Sequence, residues 1–339
     1  MNQPARILII QTAFIGDVIL ATALLETLHR DFPTAKLDFL VRRGNESLFG
    51  HHLFLNEVLV WDKKAPGFLG KYHNLWPLLK TIRSRRYDVV LNLQRYGATG
   101  LLTVFSGAKQ TIGFDKNPVS WLFTHRVRHR FEPGVHEVNR NAELLGPLET
   151  TTPKLYPSAA DVARVRPYQL NSYVCIAPTS VWFTKQFPGN QWADLINELL
   201  DSQTVYLLGA PTDTAACEAI RQQTTRPERV VNLSGKLSLL ESAALMGGAA
   251  MNYVNDSAPM HLASAMNAPT TAVFCSTVPE FGYGPLSDNS RVVQTPVPLD
   301  CRPCGIHGHQ ACPLGHFRCA TEIKTGQLLG SIGTQMTQI

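Results

Sequence analysis

The chain alternates between short apolar runs and longer apolar patterns of helical spacing, with a polar break between them. The first case is RILIIQTAFIGDVILATALLETL, Arg6 to Leu28. Residues 6–11 are rich in isoleucine, as a strand buried on both faces requires. Gly16–Asp17 breaks the run. From Asp17 onward Val18, Ala21, Leu25, Leu28 and Phe32 recur at helical spacing, and Pro33 stops the helix. Strands are expected again at 36–42, 57–61, 87–93 and 109–114, with a helix over about 72–85. Strand and helix in repetition build a layered α/β sheet.

The second half repeats this grammar. Strands are expected at 173–179, 204–210, 230–235, 251–256 and 270–275, the last of the series. Helices are expected at 191–200, 238–249 and 258–267. Between the halves, residues 132–158 hold one helix and then a stretch rich in Pro and Thr. At 339 residues the chain exceeds what one core usually organises. The reading is two Rossmann-like domains facing a cleft, residues 1–160 and 161–320. Residues 321–339 form a tail expected to pack back on the first domain. Ligands of such sheets bind outside the carboxyl ends of the strands.

Composition narrows the class. Apolar residues at 44% and charged residues at 17% describe a soluble globular protein, not a disordered one. A net charge of +5 suits anionic ligands or surfaces without naming one. No run approaches the ~18 apolar residues of a membrane span. Arg6 before an apolar stretch resembles a signal peptide, but Gly16–Asp17 and the continuing helix argue against cleavage. A cytoplasmic protein is expected.

Three loops after strands carry chemistry. In TAFIGDV (12–18), Asp17 either caps the helix N-terminus or acts as a general base. In APTSVWFTKQFPGNQW (177–192), Thr179, Ser180, Thr184 and Lys185 suit a diphosphate, or form a solvated loop. In VNDSAPMHLA (254–263), Asp256, Ser257 and Ala258 lead into a helix whose first turn holds His261, a ligand or a packed histidine.

Taken together, GDVILATALLETL, TKQFP and NDSAPMHLASAMNAPTTAVF resemble the motifs of the ADP-heptose:lipopolysaccharide heptosyltransferases, glycosyltransferase family 9. The tail CRPCGIHGHQACPLGHFRC is similar to that of heptosyltransferase II-like members. The resemblance implies the two-domain GT-B arrangement. It also implies an inverting transfer of heptose from ADP-heptose, in the second domain, to an inner-core lipopolysaccharide sugar in the first. Asp17 then corresponds to the base and Lys185 to the phosphate-binding lysine. Thr179, Ser180, Thr184, Asp256, Ser257, Ala258 and His261 correspond to the donor loops. The chain departs from the pattern at Ala258, where many relatives have Gly, and at Gln186 and Phe187, where they often show Arg and Trp. No Asp-x-Asp motif occurs, so leaving-group support without a metal is expected. Relatives that move another sugar share these motifs, and a non-catalytic, zinc-stapled binding protein keeping the fold is a further alternative. Retention of Asp17 and Lys185 speaks against the latter.

Cys301, Cys304, Cys312 and Cys319 fall within nineteen positions, with His307, His309 and His316 between them. These are zinc-ligand types, so a structural zinc site is one expectation and reduced thiols in packing the other. Disulfides are not expected in a reducing cytosol. Cys175, Cys217 and Cys275 are scattered and read as small buried residues. The basic stretches RSRR (83–86) and HRVRHRF (125–131) are either solvated rims or contacts for acceptor phosphates and the anionic inner face of the membrane. No nucleic-acid recognition motif is present.

Overall fold

β1 (Arg6–Ile10), β2 (Lys36–Arg42), β3 (Leu55–Trp61), β4 (Val89–Asn92), β5 (Gln110–Phe114) and β6 (His125–Val127) form the first sheet. All its pairings are parallel, in the order β3-β2-β1-β4-β5-β6. The structure is a computed structural model and describes residues 3–63, 74–146, 148–201 and 203–330. Parallel neighbours need crossovers, and helices Ile15–Asp31, Leu75–Arg85 and Gly97–Val104 supply them. The expected helix residues 72 and 73 lie outside the described residues. Ile7, Leu8, Ile9 and Ile10 have no exposed surface, which explains why β1 reads as a continuous apolar run.

Leu8 packs in a cluster with Leu40, Trp61, Val90 and Leu102. Leu8→Ala is expected to cost about 2–5 kcal/mol, read as a lower urea midpoint at unchanged slope. A loss below about 0.5 kcal/mol, the range of a surface change, would contradict this packing.

The second sheet comprises β7 (Tyr173–Ala177), β8 (Thr204–Leu207), β9 (Val230–Asn232), β10 (Met251–Asn255), β11 (Thr270–Phe274) and β12 (Ser290–Gln294). It is also parallel, in the order β12-β11-β10-β7-β8-β9. Helices Gly189–Leu199, Thr214–Gln222, Leu239–Gly247 and Ala258–Ala265 connect its strands. The chain divides into two units between Tyr156 and Pro157.

Three features differ from expectation. The series does not end at 275, because β12 follows β11. It is a partly exposed edge strand with one fully buried residue, Val293, so its apolar signal is weak. β6 is likewise a short exposed edge within the basic stretch. From 321 the chain stays with the second unit: Ile323 and Leu328 are buried in that unit's core. Gln191 Nε2 also donates to the carbonyls of Thr321 and Ile323, at 3.2 and 2.9 Å. Residues 331–339 of the expected tail lie outside the described residues.

Each sheet reverses its direction of growth once, between β1 and β4 and between β7 and β10. At these points loops diverge and open a crevice at the carboxyl edge. The loops after β1 and β4, and those after β7 and β10, are therefore where ligand chemistry belongs.

Candidate active site

In the first unit the loop after β1 is fastened from several sides. Lys63 Nζ donates to the carbonyl and hydroxyl of Thr12, both at 2.9 Å. Asn45 Nδ2 donates to the Ala13 carbonyl at 3.1 Å, and Gln94, after β4, donates to the Gln11 side chain. The helix begins at Ile15, two residues before Asp17, because Phe14 is still extended. The Phe14 N–H donates to Asp17 Oδ2 at 3.2 Å, so Asp17 does tie the helix start. Burial pushes its pKa above the ordinary aspartate value. The N–H groups of Phe14 and Asp17 oppose that shift, as do the charges of Arg42 and Arg95, but do not cancel it. A cap alone would pull the pKa down. A carboxylate held in this partly buried place is more basic than an exposed aspartate.

A second carboxylate stands near it. Burial raises the pKa of Glu137, Arg140 lowers it, and the charge of Asp17 raises it again. Arg140 is 1% exposed and donates to Glu137 Oε2 and to the Val135 carbonyl, both at 2.8 Å. Sequence reading missed this pair. Its only local signal is the helical Glu–Arg spacing of three in HEVNRN, and its approach to Asp17 spans more than a hundred residues.

The two basic stretches part company. Arg83 donates to the Phe105 carbonyl at 3.0 Å, and Arg85 pairs with Glu57 at 2.6 Å. Both belong to the end of helix Leu75–Arg85, where cations complement the helix dipole. Lys116, Arg128, His129 and Arg130 instead line a cavity of about 450 Å³, with Asp115, Phe131 and Glu132. His129 is held below its usual pKa by burial and by the charges of Arg95 and Arg140. Asp17 does not line this cavity, but Arg95 influences both groups.

In the second unit Lys185 Nζ lies 2.6 Å from Asp256 Oδ2. Thr277 Oγ1 donates to the same oxygen at 2.6 Å. Asn255, the last residue of β10, donates to the Pro178 carbonyl at 2.8 Å and accepts from the Phe187 N–H at 3.0 Å. The loops after β7 and β10 are thereby stitched together, and the Lys185–Asp256 pair sits at the switch point. Thr179 and Ser180 lie half-buried in the first of these loops. Ser257 precedes helix Ala258–Ala265, and Ala258 and Pro259 open it.

Two of the expected donor residues are buried. Thr184 is 1% exposed, and its hydroxyl accepts from the His309 N–H at 2.8 Å and from Ser276 Oγ at 3.0 Å. His261 is 5% exposed.

Burial raises the pKa of the Cys304 and Cys319 thiols, and the other sulfurs of the cluster add to the shift. At Cys312 burial raises the pKa, but the backbone N–H groups of residues 314–317 outweigh it and lower the thiol overall. Cys301 Sγ lies 3.8 Å from His316 Nε2. Among the described residues, however, no three Cys, His, Asp or Glu side chains are placed to hold an ion together. The donor types suit zinc and the placement does not, so the expected zinc site is not formed by this arrangement.

The chain is 28% identical to lipopolysaccharide heptosyltransferase 3 of Escherichia coli K12 over 284 residues, 77% of this chain and 80% of that protein. Among solved structures, a glycosyl transferase family 9 protein from Veillonella parvula superposes with a TM-score of 0.82 at 19% identity, covering 96% of this chain and 95% of that one. The E. coli heptosyltransferase WaaC with ADP gives 0.74 at 20% identity, covering 96% and 98%. The model of glycosyltransferase family 9 (heptosyltransferase) matches residues 75–311, and with two parallel Rossmann-like sheets of matching architecture the chain belongs to that family.

Proposed function

We propose that the protein transfers heptose from ADP-heptose to the inner core of lipopolysaccharide by direct displacement. The observation that carries this reading is the Lys185–Asp256 pair at the switch point of the second sheet. A nucleotide-sugar diphosphate belongs at that edge. Lys185 has three ammonium protons, of which Asp256 engages one, and supports the charge that develops on the departing ADP. The start of helix Ala258–Ala265 adds its dipole and the Ala258 N–H, while Pro259 has no N–H and that of Met260 already donates to the Ser257 carbonyl at 3.0 Å. Ala258 in place of glycine lets its N–H act only where a methyl group is tolerated. With the leaving group supported by a lysine and a helix start, no metal is required for departure. The similar E. coli heptosyltransferase WaaC, solved with ADP, supports the choice of nucleotide.

Asp17 takes the proton from the acceptor hydroxyl as that oxygen attacks the anomeric carbon. The bond to the diphosphate oxygen breaks from the opposite side, so configuration inverts. Thr179, Ser180 and Ser257 are proposed to complete donor binding. Purified protein offered ADP-heptose, UDP-sugars and GDP-sugars should turn over the first. Preference for a UDP- or GDP-sugar would instead assign it to the relatives that move other sugars.

The cationic face of Arg126, Arg128 and Arg130 is proposed to meet the phosphates of the lipid acceptor and the inner membrane surface. Among the described residues no helix is long and apolar enough to cross a membrane. Arg128→Glu with Arg130→Glu should raise the acceptor KM by roughly 10-fold or more, at about 1 kcal/mol per charge near an anionic surface. The donor KM should stay unchanged. Binding to vesicles of anionic lipid should weaken in parallel, and equal binding by both proteins would refute the assignment.

A further inference from the structure

Between its first two clustered cysteines the chain carries Arg302, whose contacts are unlike those of any other arginine described above. Its Nε donates to the Cys275 carbonyl at 2.6 Å. One terminal nitrogen donates to the carbonyls of Phe274 and Thr277, at 3.1 and 2.7 Å, and to Gln294 Oε1 at 2.6 Å. The Cys304 N–H donates to the Ser276 carbonyl at 2.7 Å. All four carbonyls from 274 to 277 are thus held by residues 302 and 304. Phe274 is the last residue of β11, so no strand ladder continues over residues 275–277.

The same segment grips the lysine loop from the other side. The His309 N–H and the Ser276 hydroxyl both donate to Thr184 Oγ1, and the Thr184 N–H donates to the His309 carbonyl at 3.0 Å. Gly308 has φ +76°, and a side chain there would press on Thr184, Lys185 and Ser276. Residues 302–309 therefore fix both neighbours of the Lys185–Asp256 pair. Thr184 precedes the lysine, and Thr277 holds the carboxylate.

We infer that Arg302 is a positioning residue of the donor half-site, acting through Thr277 and Asp256 on Lys185. This rests on the reading of the second unit as the donor-binding one. A planar guanidinium reaches several acceptors at once, which an ammonium on a single stem does not. With Arg302 replaced, residues 274–277 lose their common anchor and Thr277 no longer holds Asp256 Oδ2. The carboxylate is then freed to compete with a diphosphate for Lys185.

The test compares wild type, Arg302→Lys, Arg302→Met, Thr277→Val and Lys185→Ala by calorimetry with ADP and by steady-state kinetics. Arg302→Lys, Arg302→Met and Thr277→Val should each weaken ADP binding about tenfold, the size of one hydrogen bond to a charged group. Their donor KM should rise while the acceptor KM stays constant, a split that a purely structural role would not produce. If an Arg302 variant fails to fold, Thr277→Val, which keeps the side-chain shape, carries the test. Wild-type ADP affinity in folded Arg302 variants and in Thr277→Val, with binding lost in Lys185→Ala, would overturn the inference alone. No ADP binding by the wild type would overturn the donor reading beneath it.

Discussion

Asp17→Asn is expected to lower kcat by about 10²–10⁴, the range of a lost general base, with ADP affinity unchanged. The pH profile separates this from a capping role. Burial raises the Asp17 pKa, so in the wild type kcat/KM should fall with falling pH through a limb that lies above the ordinary aspartate value. The variant should lack that limb. Stability moves the other way. A carboxylate whose folded pKa is raised is penalised when ionised, so it opposes folding above its folded pKa, and the penalty disappears below the unfolded value. Asp17→Asn should therefore be at least as stable as the wild type at pH 7, with any gain vanishing in acid. A residue whose main task is capping would instead cost roughly 1 kcal/mol on replacement.

Lys185→Ala is expected to weaken ADP binding by about 10²-fold, within the 2–5 kcal/mol lost when one partner of a buried charge pair is removed. It also leaves Asp256, 6% exposed, with only the Thr277 hydroxyl on its inner oxygen. An uncompensated buried carboxylate lowers stability by a few kcal/mol, so the melting temperature should fall as well. The double variant Lys185→Ala with Asp256→Asn distinguishes the two effects. Neutralising the stranded carboxylate should restore much of the stability without restoring ADP binding. Recovery of both would mean that the lysine matters for folding and not for the diphosphate.

The elements legible in the sequence share a physical cause. β1, β4, β7 and β10 are central and buried, so each reads as a largely apolar run, and the loop that follows it falls at the switch point. Asp17, Lys185 and Asp256 stand out for that reason. The edge strands β6 and β12 are half-solvated and carry no such run. Helix Gly97–Val104 is hidden because Gly100 must remain small against Asn117 and Val119, which removes an apolar position from its pattern. Arg302 could not be found by spacing. Its partners are backbone carbonyls some twenty-five residues earlier, and the cysteines on either side suggest a metal. Glu137 and Arg140 are likewise brought near Asp17 only by tertiary folding. Thr184 and His261 look exposed in the sequence because hydroxyl and imidazole groups are polar, yet both are buried, and the Thr184 hydroxyl accepts from His309 and Ser276.

The most direct measurement is a single transfer reaction followed to its product. Wild-type protein, ADP-heptose and a lipopolysaccharide inner-core acceptor are combined, and the anomeric configuration of the new linkage is read by NMR, with Asp17→Asn in parallel. Turnover by the wild type, inversion at the anomeric carbon, and a rate lower by about 10²–10⁴ in the variant are expected. Retention of configuration, or equal rates for the two proteins, would contradict direct displacement with Asp17 as the base.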